Sequence, residues 1–419
     1  MSETDGIACF QPEYMSVFQC DGRKCNALCC SSKWRIDFDS DTYAKYCSIE
    51  PRSKRESILK WLEYKEEHKT YVLKRPETGN GSCPMLRSDC LCGIQKEYGE
   101  DYLSLVCLSY PRHVNIIDDF VERSLSLSCP LAAELILLHK EPMAFEQCTV
   151  PDNRLHRHGQ VSLNRINQPQ TAYLVEVQCT AIAILQNRAL ALDERLAMLG
   201  FFLSEAQETI DTQGVAALDD VIAAFTAPDF TNAFGELTTG FSFSAETYLQ
   251  RLIGDVGNAL YDENRILDEQ HAALVETAMQ TLGFSPERQS VNLPQLAADC
   301  ERGFLPYKRR LVREYDYIWE NFLVNELFQQ LYPFNIGNSL TDGYKVFLSE
   351  YKLAELFVTA YAYGCRAETN DGFLAAALAD ANRSAAHDVD YIPDLCNIVL
   401  AKDENIISFM NAYLDMAKQ

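Results

Sequence analysis

The 419-residue sequence lacks the features of a membrane or secreted protein. It contains no run of about 18 uninterrupted apolar residues, and its most apolar stretch, residues 125–139, is broken by Pro130 and Glu134. Residues 1–15 carry early acidic side chains and no basic segment followed by an apolar one, so they do not read as a secretory signal. These absences predict a protein without membrane partners that is located in the cytoplasm.

Positive charge is also scarce. The sequence has 37 Lys and Arg against 60 Asp and Glu, a formal net charge of −23. Nucleic acid is therefore not an expected partner, because phosphate binding needs a basic surface. Residues 1–150 hold 23 acidic and 18 basic side chains, a net charge of −5, which leaves −18 for the remainder. The acidity of the second part is compatible with a basic or lysine-bearing protein partner.

Familiar nucleotide-binding and metalloprotease motifs are missing as well. The sequence has no strand followed by a GxGxxG-type turn, no P-loop and no HExxH. The radical-enzyme arrangement Cys-x3-Cys-x2-Cys is incomplete, because Cys25 and Cys29 have the first spacing but Ser32 occupies the third position. The chemistry of the protein has to be sought in other residues.

Alternating strand patterns are few, and helical spacing dominates after about residue 170. The best hairpin candidate is 113–128, with Asp118 and Asp119 at its turn. We predict a mainly α fold, with a small irregular cysteine-rich metal-binding N-terminal part followed by a helical domain. The polar stretch 148–170 indicates a cysteine-rich domain over 1–150, a linker over 151–170 and a helical domain over 171–419. Helices are predicted over 171–190, 192–209, 244–254, 263–282, 305–331, 344–364, 371–385 and 402–418.

Cysteine is what the sequence has in excess. Twelve of its sixteen cysteines fall within the first 150 residues. In a reducing compartment, clustered cysteines bind metal or perform redox chemistry more often than they form disulfides. Cys179, Cys300, Cys365 and Cys396 stand singly among apolar neighbours, and we predict that they are small buried residues.

The N-terminal cysteines form four main blocks. These are "CDGRKCNALCC" (20–30), "CPMLRSDCLCGI" (83–94), "CLSYPR" (107–112) and "SCPLAAE" (128–134). Thiolates are soft ligands that suit zinc or iron–sulfur clusters. Only Cys25 and Cys29 have the short spacing of a structural zinc site, and the adjacent Cys29 and Cys30 are able to serve different sites. Spacing alone leaves zinc, an iron–sulfur cluster and a disulfide framework open.

Several segments together resemble the flagellin lysine-N-methylases. They are "FQCDGRKCNALCCSSKWRIDFDSDTYAKY" (18–46), "CPML" (83–86), "LCGIQKEYGEDYLSLVCLSYPR" (91–112), "LSLSCP" (125–130) and "YIWENFLVNELFQQLYPF" (317–334). The resemblance covers both halves of the chain in order. It departs at Lys33, where the family tends to have glycine before the tryptophan. The cysteine pattern is also similar to that of a broader group of zinc- or iron-chelating proteins.

The resemblance implies methyl transfer from S-adenosylmethionine to lysine ε-amines of flagellin. It also implies a cysteine-held iron–sulfur cluster of the 4Fe-4S type, with zinc as the alternative. Cys90 falls outside the family pattern and is expected to pack. Carried over residue by residue, the pool of metal ligands is Cys20, Cys25, Cys29, Cys30, Cys83, Cys92, Cys107 and Cys129.

Tyr110 and Arg112, which follow Cys107 in the sequence, are candidates for the methyl-transfer site. A lysine amine attacks only when neutral, and its unperturbed pKa is about 10.4, so the enzyme must desolvate it or supply a base. Tyr110 is the candidate hydrogen-bonding or proton-accepting group, and the alternative is a tyrosine packed at a turn. Arg112 is the candidate ligand for the carboxylate of S-adenosylmethionine through its planar guanidinium, and the alternative is a turn-stabilising arginine.

Glu320, Asn321 and Asn325 are polar residues on an otherwise apolar predicted helix. Buried polar groups are costly unless they are hydrogen-bonded, so these residues either bond to other groups of the fold or line the substrate site. Two functions of other classes remain open. One is a metal-chelating or electron-transfer protein without methyltransferase activity, and the other is an interaction module stapled by zinc.

Overall fold

The protein is described by a computed structural model. It covers residues 6–31, 35–76, 81–151, 159–163, 168–227, 234, 241–257, 269–283, 292–337, 339–366, 368–388 and 390–416. The chain forms two compact units, the first of residues 1–135 and 145–160, and the second of residues 136–144 and 161–419. It therefore passes from one unit to the other three times. Ser32, Lys33 and Trp34 lie outside the described residues.

The predicted linker over 151–170 is described only in part. Residues 152–158 and 164–167 lie outside the described range, while 159–161 form a short strand. A 3-10 helix begins at Pro169, where the predicted linker ends. The division at 150 and 170 stays a prediction.

Strands occur in the first unit. They are β1 (Ile7–Pro12), β2 (Asp37–Phe38), β3 (Leu62–Lys65), β4 (Thr70–Leu73), β5 (Arg112–Ile117), β6 (Phe120–Leu125), β7 (Phe145–Val150) and β8 (Gly159–Val161). In the described part of the chain they form a five-stranded sheet in the order β7–β1–β6–β5–β8 and a three-stranded sheet in the order β2–β4–β3. The predicted hairpin is confirmed, since β5 pairs antiparallel with β6. Asp118 takes a left-handed φ of 47° at its turn, which aspartate tolerates better than most residues.

The helices of the first unit are short. They are α1 (Tyr14–Val17), α2 (Leu28–Ser31), α3 (Ser40–Cys47), α4 (Arg52–Leu59), α5 (Gly93–Tyr98), α6 (Leu105–Ser109) and α7 (Pro130–Leu137). Asp39 caps α3 by accepting a hydrogen bond of 2.7 Å from the Thr42 amide. Buried Phe38, Tyr46 and Ile94 belong to an apolar core against which Cys83 and Cys92 pack. The small core therefore ends at the cysteine-bearing loops.

The second unit is helical, and the prediction of a mainly α fold is confirmed. Its helices are α8 (Leu174–Leu185), α9 (Leu192–Gln213), α10 (Leu218–Thr226), α11 (Ala245–Leu249), α12 (Glu269–Thr281), α13 (Leu293–Arg302), α14 (Phe304–Glu314), α15 (Asp316–Gln329), α16 (Leu340–Cys365), α17 (Asp371–His387), α18 (Tyr391–Leu400) and α19 (Ile406–Tyr413). A π-helix, Gln250–Gly257, continues α11. The segment predicted as one helix over 305–331 is two helices, which meet at Tyr315. Among the described helices, none has the length and apolar character needed to cross a bilayer.

Helix α16 is buried along most of its length and packs against α9, α12, α14, α17, α18 and α19. Ser339 caps its start by accepting a hydrogen bond of 3.0 Å from the Asp342 amide. The helix ends at Arg366, which has a left-handed φ of 49°. Because α16 is central, its polar residues must find partners inside the unit.

The three polar residues singled out on α15, Glu320, Asn321 and Asn325, are hydrogen-bonded within the fold. Buried Glu320 accepts two hydrogen bonds of 2.9 Å from Arg188 and one of 2.8 Å from Arg195. The side-chain amide of Asn321 donates to the His139 carbonyl at 2.7 Å. Asn325 is buried beside Glu326, to which its side chain is hydrogen-bonded. These contacts favour the structural interpretation of the three residues over a role in binding substrate.

The prediction for the four scattered cysteines holds only for Cys300, which is buried. Cys179 and Cys365 are exposed, and Cys396 is half-buried. The apolar neighbours that suggested burial face the core from other positions of the same helices, because residues one position apart diverge by about 100° around a helix.

Candidate metal centre

The cysteine blocks meet at one cavity of the first unit. The cavity has a volume of about 140 Å³ and walls that include apolar Leu28, Ile36 and Leu103. Nine of the described cysteines line it, namely Cys20, Cys25, Cys29, Cys30, Cys83, Cys90, Cys92, Cys107 and Cys129. The structure therefore brings together all eight predicted ligands, which are spread over about a hundred residues of sequence.

The loop of the first block approaches the cavity through unusual backbone. Asn26 and Ala27 both have a left-handed φ of 51° before α2 presents Cys29 and Cys30. The Ala27 amide donates to the Gly22 carbonyl at 2.7 Å and closes the turn. A Cβ atom on Gly22 would collide with the Cys90 carbonyl oxygen, so glycine is required where the two cysteine loops touch.

The second block folds back onto the first. The Cys83 amide donates to the Cys30 carbonyl at 2.8 Å, and the Gly93 amide donates to the Met85 carbonyl at 2.8 Å. An isolated antiparallel bridge between Leu86 and Cys92 completes the loop. These backbone bonds, rather than the side chains, place Cys83 and Cys92 beside the first block.

The last two ligands of the predicted pool stand at helix starts. Cys107 lies in the first turn of α6, and its amide donates to the Ser104 side chain at 3.2 Å. Cys129 directly precedes α7, and its carbonyl accepts from the Ala133 amide at 2.9 Å. Helix N-termini carry partial positive charge, which offsets part of the cost of a thiolate at these two positions.

Cys29 and Cys30 differ although they are adjacent. A hydrogen bond from the Cys30 thiol lowers the pKa of Cys29 to about 7. The same hydrogen bond, together with burial and repulsion by neighbouring thiolates, raises the pKa of Cys30. Cys29 therefore loses its proton more easily than Cys30.

The thiolate form is disfavoured at Cys107 and Cys129. Burial raises the pKa of Cys129 to about 12, and desolvation raises that of Cys107 to about 12 although the residue is partly open to solvent. Thiolates at Cys83 and Cys92 raise that of Cys107 further by repulsion. A bound cation would reverse this repulsion, because it attracts every thiolate in the cavity at once.

The donor set fits a thiophilic metal or an iron–sulfur cluster in chemistry and in number. All sixteen cysteines lie in the described part of the chain, and each has a free thiol. Four thiolates suffice for a structural zinc or a 4Fe-4S cluster, and nine are present. Within the described ranges, however, no group of three or more His, Cys, Asp or Glu side chains is arranged as a ready-made metal site. The donors are gathered, but their side chains do not yet have ligand geometry.

The two predicted site residues lie in different surroundings. Tyr110 lines the cavity, and its hydroxyl is 3.1 Å from the Ser128 hydroxyl. Arg112 begins β5, and its guanidinium lies 5.4 Å from the centre of the Phe18 ring. Burial lowers the pKa of Arg112, while the nearby Cys20 acts in the opposite direction. Their roles with S-adenosylmethionine stay predictions.

Two residues of the cavity with ionisable side chains were not predicted as part of it. Cys90 was expected to pack, but it lines the cavity and has a left-handed φ of 60°. Its sequence signal is the tight Cys90-x-Cys92 spacing. Tyr46 is buried in the core and also forms part of the cavity wall, where burial raises its pKa. The sequence around Tyr46 gave no indication that this core residue also lines the cavity.

Comparisons with known proteins point to the same family as the sequence-based resemblance. The model of the family "FliB lysine N-methylase C-terminal domain" matches residues 179–413. The lysine-N-methylases of Salmonella typhimurium (strain LT2) and Salmonella choleraesuis (strain SC-B67) are each 31% identical to this chain over 146 residues, 34% of this chain and 36% of theirs. The flagellar biosynthetic protein FliU of Salmonella muenchen is 33% identical over 142 residues, 33% of this chain and 82% of FliU.

These matches cover only parts of the proteins compared. The match spans little more than a third of the length of the two lysine-N-methylases. The family match, by contrast, lies entirely within the second unit. No solved structure matches this chain.

Proposed function

Since the chain belongs to the family of the FliB lysine N-methylase C-terminal domain, we propose that it transfers methyl groups from S-adenosylmethionine to lysine side chains of flagellin. The family match over residues 179–413 carries this proposal. The flagellar name of the FliU relative supports flagellin as the substrate. We propose further that the reaction takes place in the cytoplasm, where free thiols persist.

We also propose that the cysteines of the cavity hold an iron–sulfur cluster, of the 4Fe-4S type. The support is the set of nine thiols around one cavity. When bound, such a cluster would supply an electron-transfer centre whose potential depends on its surroundings. Zinc held by the same thiols would instead supply only a structural staple for the loops.

The chemistry of the transfer sets what the protein must do. A bond forms between the lysine nitrogen and the methyl carbon, the carbon–sulfur bond breaks, and the amine gives up a proton. The sulfonium leaves as a neutral thioether without needing an acid, so positioning and removal of the amine proton are the main tasks. Tyr110 is our candidate for the proton, because its hydroxyl is oriented by Ser128. Arg112 is our candidate for the S-adenosylmethionine carboxylate.

The proposed activity is tested by incubating the full chain with S-adenosylmethionine and flagellin under reducing, anaerobic conditions. We expect flagellin lysines to gain the mass of one or more methyl groups, and no gain without S-adenosylmethionine. Tyr110→Phe should lower kcat and change its pH dependence if the hydroxyl takes part in proton removal. An unmodified flagellin would contradict the methylase proposal.

Metal analysis separates the proposed cluster from its alternatives. Iron and acid-labile sulfide in the anaerobically purified protein would support the cluster. Zinc at full occupancy without sulfide would contradict it and favour the zinc-stapled module. Iron and sulfide in a protein that does not modify flagellin would favour a metal-chelating or electron-transfer function.

A further inference from the structure

A groove between α9 and α10, within the helical unit, is a candidate binding site separate from the cysteine cavity. Its volume is about 500 Å³. Helix α9 contributes residues spaced by four positions, which lie on one face of a helix. The described residues that line the groove are Phe201, Glu205, Thr209 and Gln213 on α9, and Ala217, Asp220, Val221, Ala224 and Phe225 on the other side.

The groove is formed by one continuous piece of chain. Helix α9 ends at Gln213, and Gly214 takes a positive φ of 88° that glycine adopts without strain. A single 3-10 turn, Val215–Ala217, then leads into α10. Such a short connection folds the two helices into a hairpin, and all the described lining residues lie between Phe201 and Phe225.

The described walls of the groove hold two carboxylates and no cation. Glu205 and Asp220 are exposed to it, and neither has an ion pair or a hydrogen bond with any described residue. Other acids of the same unit are paired, for example Glu320 with Arg195 at 2.8 Å and Glu404 with Arg251 at 2.7 Å. The charge of Glu205 and Asp220 is thus available to a ligand.

Thr209 gives an independent indication of a ligand. Its side chain lines the groove although the residue is only 4% exposed, and its hydroxyl makes no hydrogen bond to the described residues. Other helical threonines donate to the carbonyl four residues earlier, as Thr180 does at 2.8 Å and Thr212 at 2.7 Å. The Thr209 hydroxyl is therefore available to accept a hydrogen bond from a donor on a ligand in the groove.

The remaining walls suit an alkyl chain that ends in a cation. Phe201 and Phe225 are half-buried, and aromatic faces attract ammonium groups. The Phe225 ring is held against Phe202 at a centroid distance of 5.3 Å, and Phe201 packs on Phe241 at 6.2 Å. Methylene groups of a long side chain pack well on such surfaces.

We propose that this groove docks a lysine side chain of the protein substrate. The ammonium would lie between Glu205 and Asp220 and donate to the Thr209 hydroxyl, with its methylene stem against Phe201 and Phe225. The net charge of −18 beyond residue 150 favours such a partner over an acidic one. The inference rests on the proposed function only in taking flagellin as the protein that carries the lysine. It assigns the groove to docking and not to the chemical step.

The first test uses a small probe and does not depend on methylation. Binding of Nα-acetyl-lysine methylamide to the full chain is followed by saturation-transfer NMR, with the Nε-acetylated compound as the uncharged comparison. We expect transfer to the lysine methylenes of the charged probe, and about tenfold weaker binding to the Glu205→Gln/Asp220→Asn double variant. Thr209→Val should weaken binding by a smaller factor.

The matched control is the Glu208→Gln/Glu246→Gln double variant. It removes the same charge from exposed positions outside the groove, so it should bind the charged probe as the wild type does. Equal binding by all three proteins would overturn the proposal. An equal loss in both double variants would also overturn it, because the effect would then come from net charge alone.

The second test uses flagellin. If the groove docks the substrate, Glu205→Gln/Asp220→Asn should raise KM for flagellin several-fold and leave kcat nearly unchanged. A wild-type protein that methylates flagellin, with a double variant of unchanged KM, would refute the groove and leave the proposed function standing. Charge-dependent binding of the probe by a protein that does not methylate flagellin would refute the proposed function and leave the groove standing.

Discussion

The two units treat buried ionisable groups in opposite ways. The first unit gathers nine cysteines around one cavity, where thiolates at Cys92 and Cys83 would raise the pKa of Cys107 by repulsion. The second unit pairs opposite charges: Lys308 lies 2.5 Å from Glu355, and Lys352 lies 2.5 Å from Asp193. Buried charges need compensation wherever they occur. The helical unit supplies it from its own side chains, whereas no cationic side chain is among the described residues that line the cysteine cavity.

Not every buried carboxyl of the second unit is paired with a cation, as a comparison of Glu355 with Glu350 and Glu326 shows. Burial alone would raise the pKa of Glu355, but Lys308 and Lys352 outweigh burial and lower it to about 2. On the neighbouring stretch of α16, burial raises the pKa of Glu350 to about 7, although Tyr332 donates to it at 2.8 Å. Burial and the Glu350 charge raise the pKa of Glu326 to about 8. The carboxyls of Glu326 and Glu350 are therefore partly protonated at neutral pH, and neither is paired with a cation among the described residues.

The largest effect should come from removing ligands from the cavity. We expect Cys83→Ser/Cys92→Ser to lose nearly all bound metal, because hydroxyls are poor ligands for soft metals. The measurement is iron, zinc and sulfide per chain, together with far-UV circular dichroism to show that the helical unit persists. Cys47→Ser/Cys365→Ser is the control, since both cysteines are exposed and neither lines the cavity. Full metal retention in the Cys83/Cys92 variant would show that the cavity is not the metal centre.

The second largest effect should come from breaking the buried ion pairs of Lys352 in the second unit. Lys352→Met leaves Asp193 and Glu355 with too little positive charge, and we expect a loss of about 3–5 kcal/mol in unfolding free energy. Urea unfolding at neutral pH measures it. Arg52→Met, which breaks an exposed pair with Glu56, should cause no measurable change. A small effect of Lys352→Met would mean that the buried network is not essential for stability.

The raised pKa values of Glu326 and Glu350 should make the free energy of unfolding depend on pH. A carboxyl whose pKa is raised by folding stabilises the protein fully below its unfolded value of about 4.3, and this contribution is lost as the pH rises through the folded value. With Glu326 at about 8, unfolding free energy should fall by a few kcal/mol between about pH 5 and 8.5. Glu326→Gln should flatten this curve in urea titrations at several pH values. A curve unchanged by the substitution would locate the dependence elsewhere.

The smallest predicted effect concerns backbone contact in the cavity. Gly22→Ala forces apart the loops that carry Cys25 and Cys90, and we expect a loss of about 1–2 kcal/mol. The cavity thiols should also react faster with a thiol reagent under native conditions. Gly372→Ala is the control, because its Cβ would meet only ordinary contacts. Unchanged thiol reactivity in Gly22→Ala would show that the loops adapt without opening.

Local patterns in the sequence were sufficient for part of this structure. Helical periodicity predicted most helices of the second unit, and the Asp118–Asp119 turn predicted the β5–β6 hairpin. The cysteine pattern predicted that Cys20 and Cys129, among others, would meet although they are far apart in sequence. Each of these predictions rested on neighbours along the chain or on a shared family pattern.

The rest depends on contacts that leave no local signal. Strand β1 pairs in parallel with β6, with Ala8 opposite Phe120, and such a pairing has no connecting turn to reveal it. The left-handed Ala27 is unexpected, since alanine disfavours that conformation by about 1–2 kcal/mol. Lys352 would be assigned to the surface from composition, yet its burial is made possible by Asp193, 159 residues earlier in the chain.

The short excursion of residues 136–144 into the second unit has a consequence for how the protein is made. Its carbonyls accept hydrogen bonds from Gln186 at 2.9 Å, from Arg188 at 2.8 Å and from Asn321 at 2.7 Å, the last 182 residues further along the chain. During synthesis this segment leaves the ribosome well before α15 exists. The helical unit therefore cannot close until most of the chain has been translated. A fragment that starts at residue 171 would leave these donors without their acceptors, so the helical unit is not equivalent to the stretch of chain that follows residue 170.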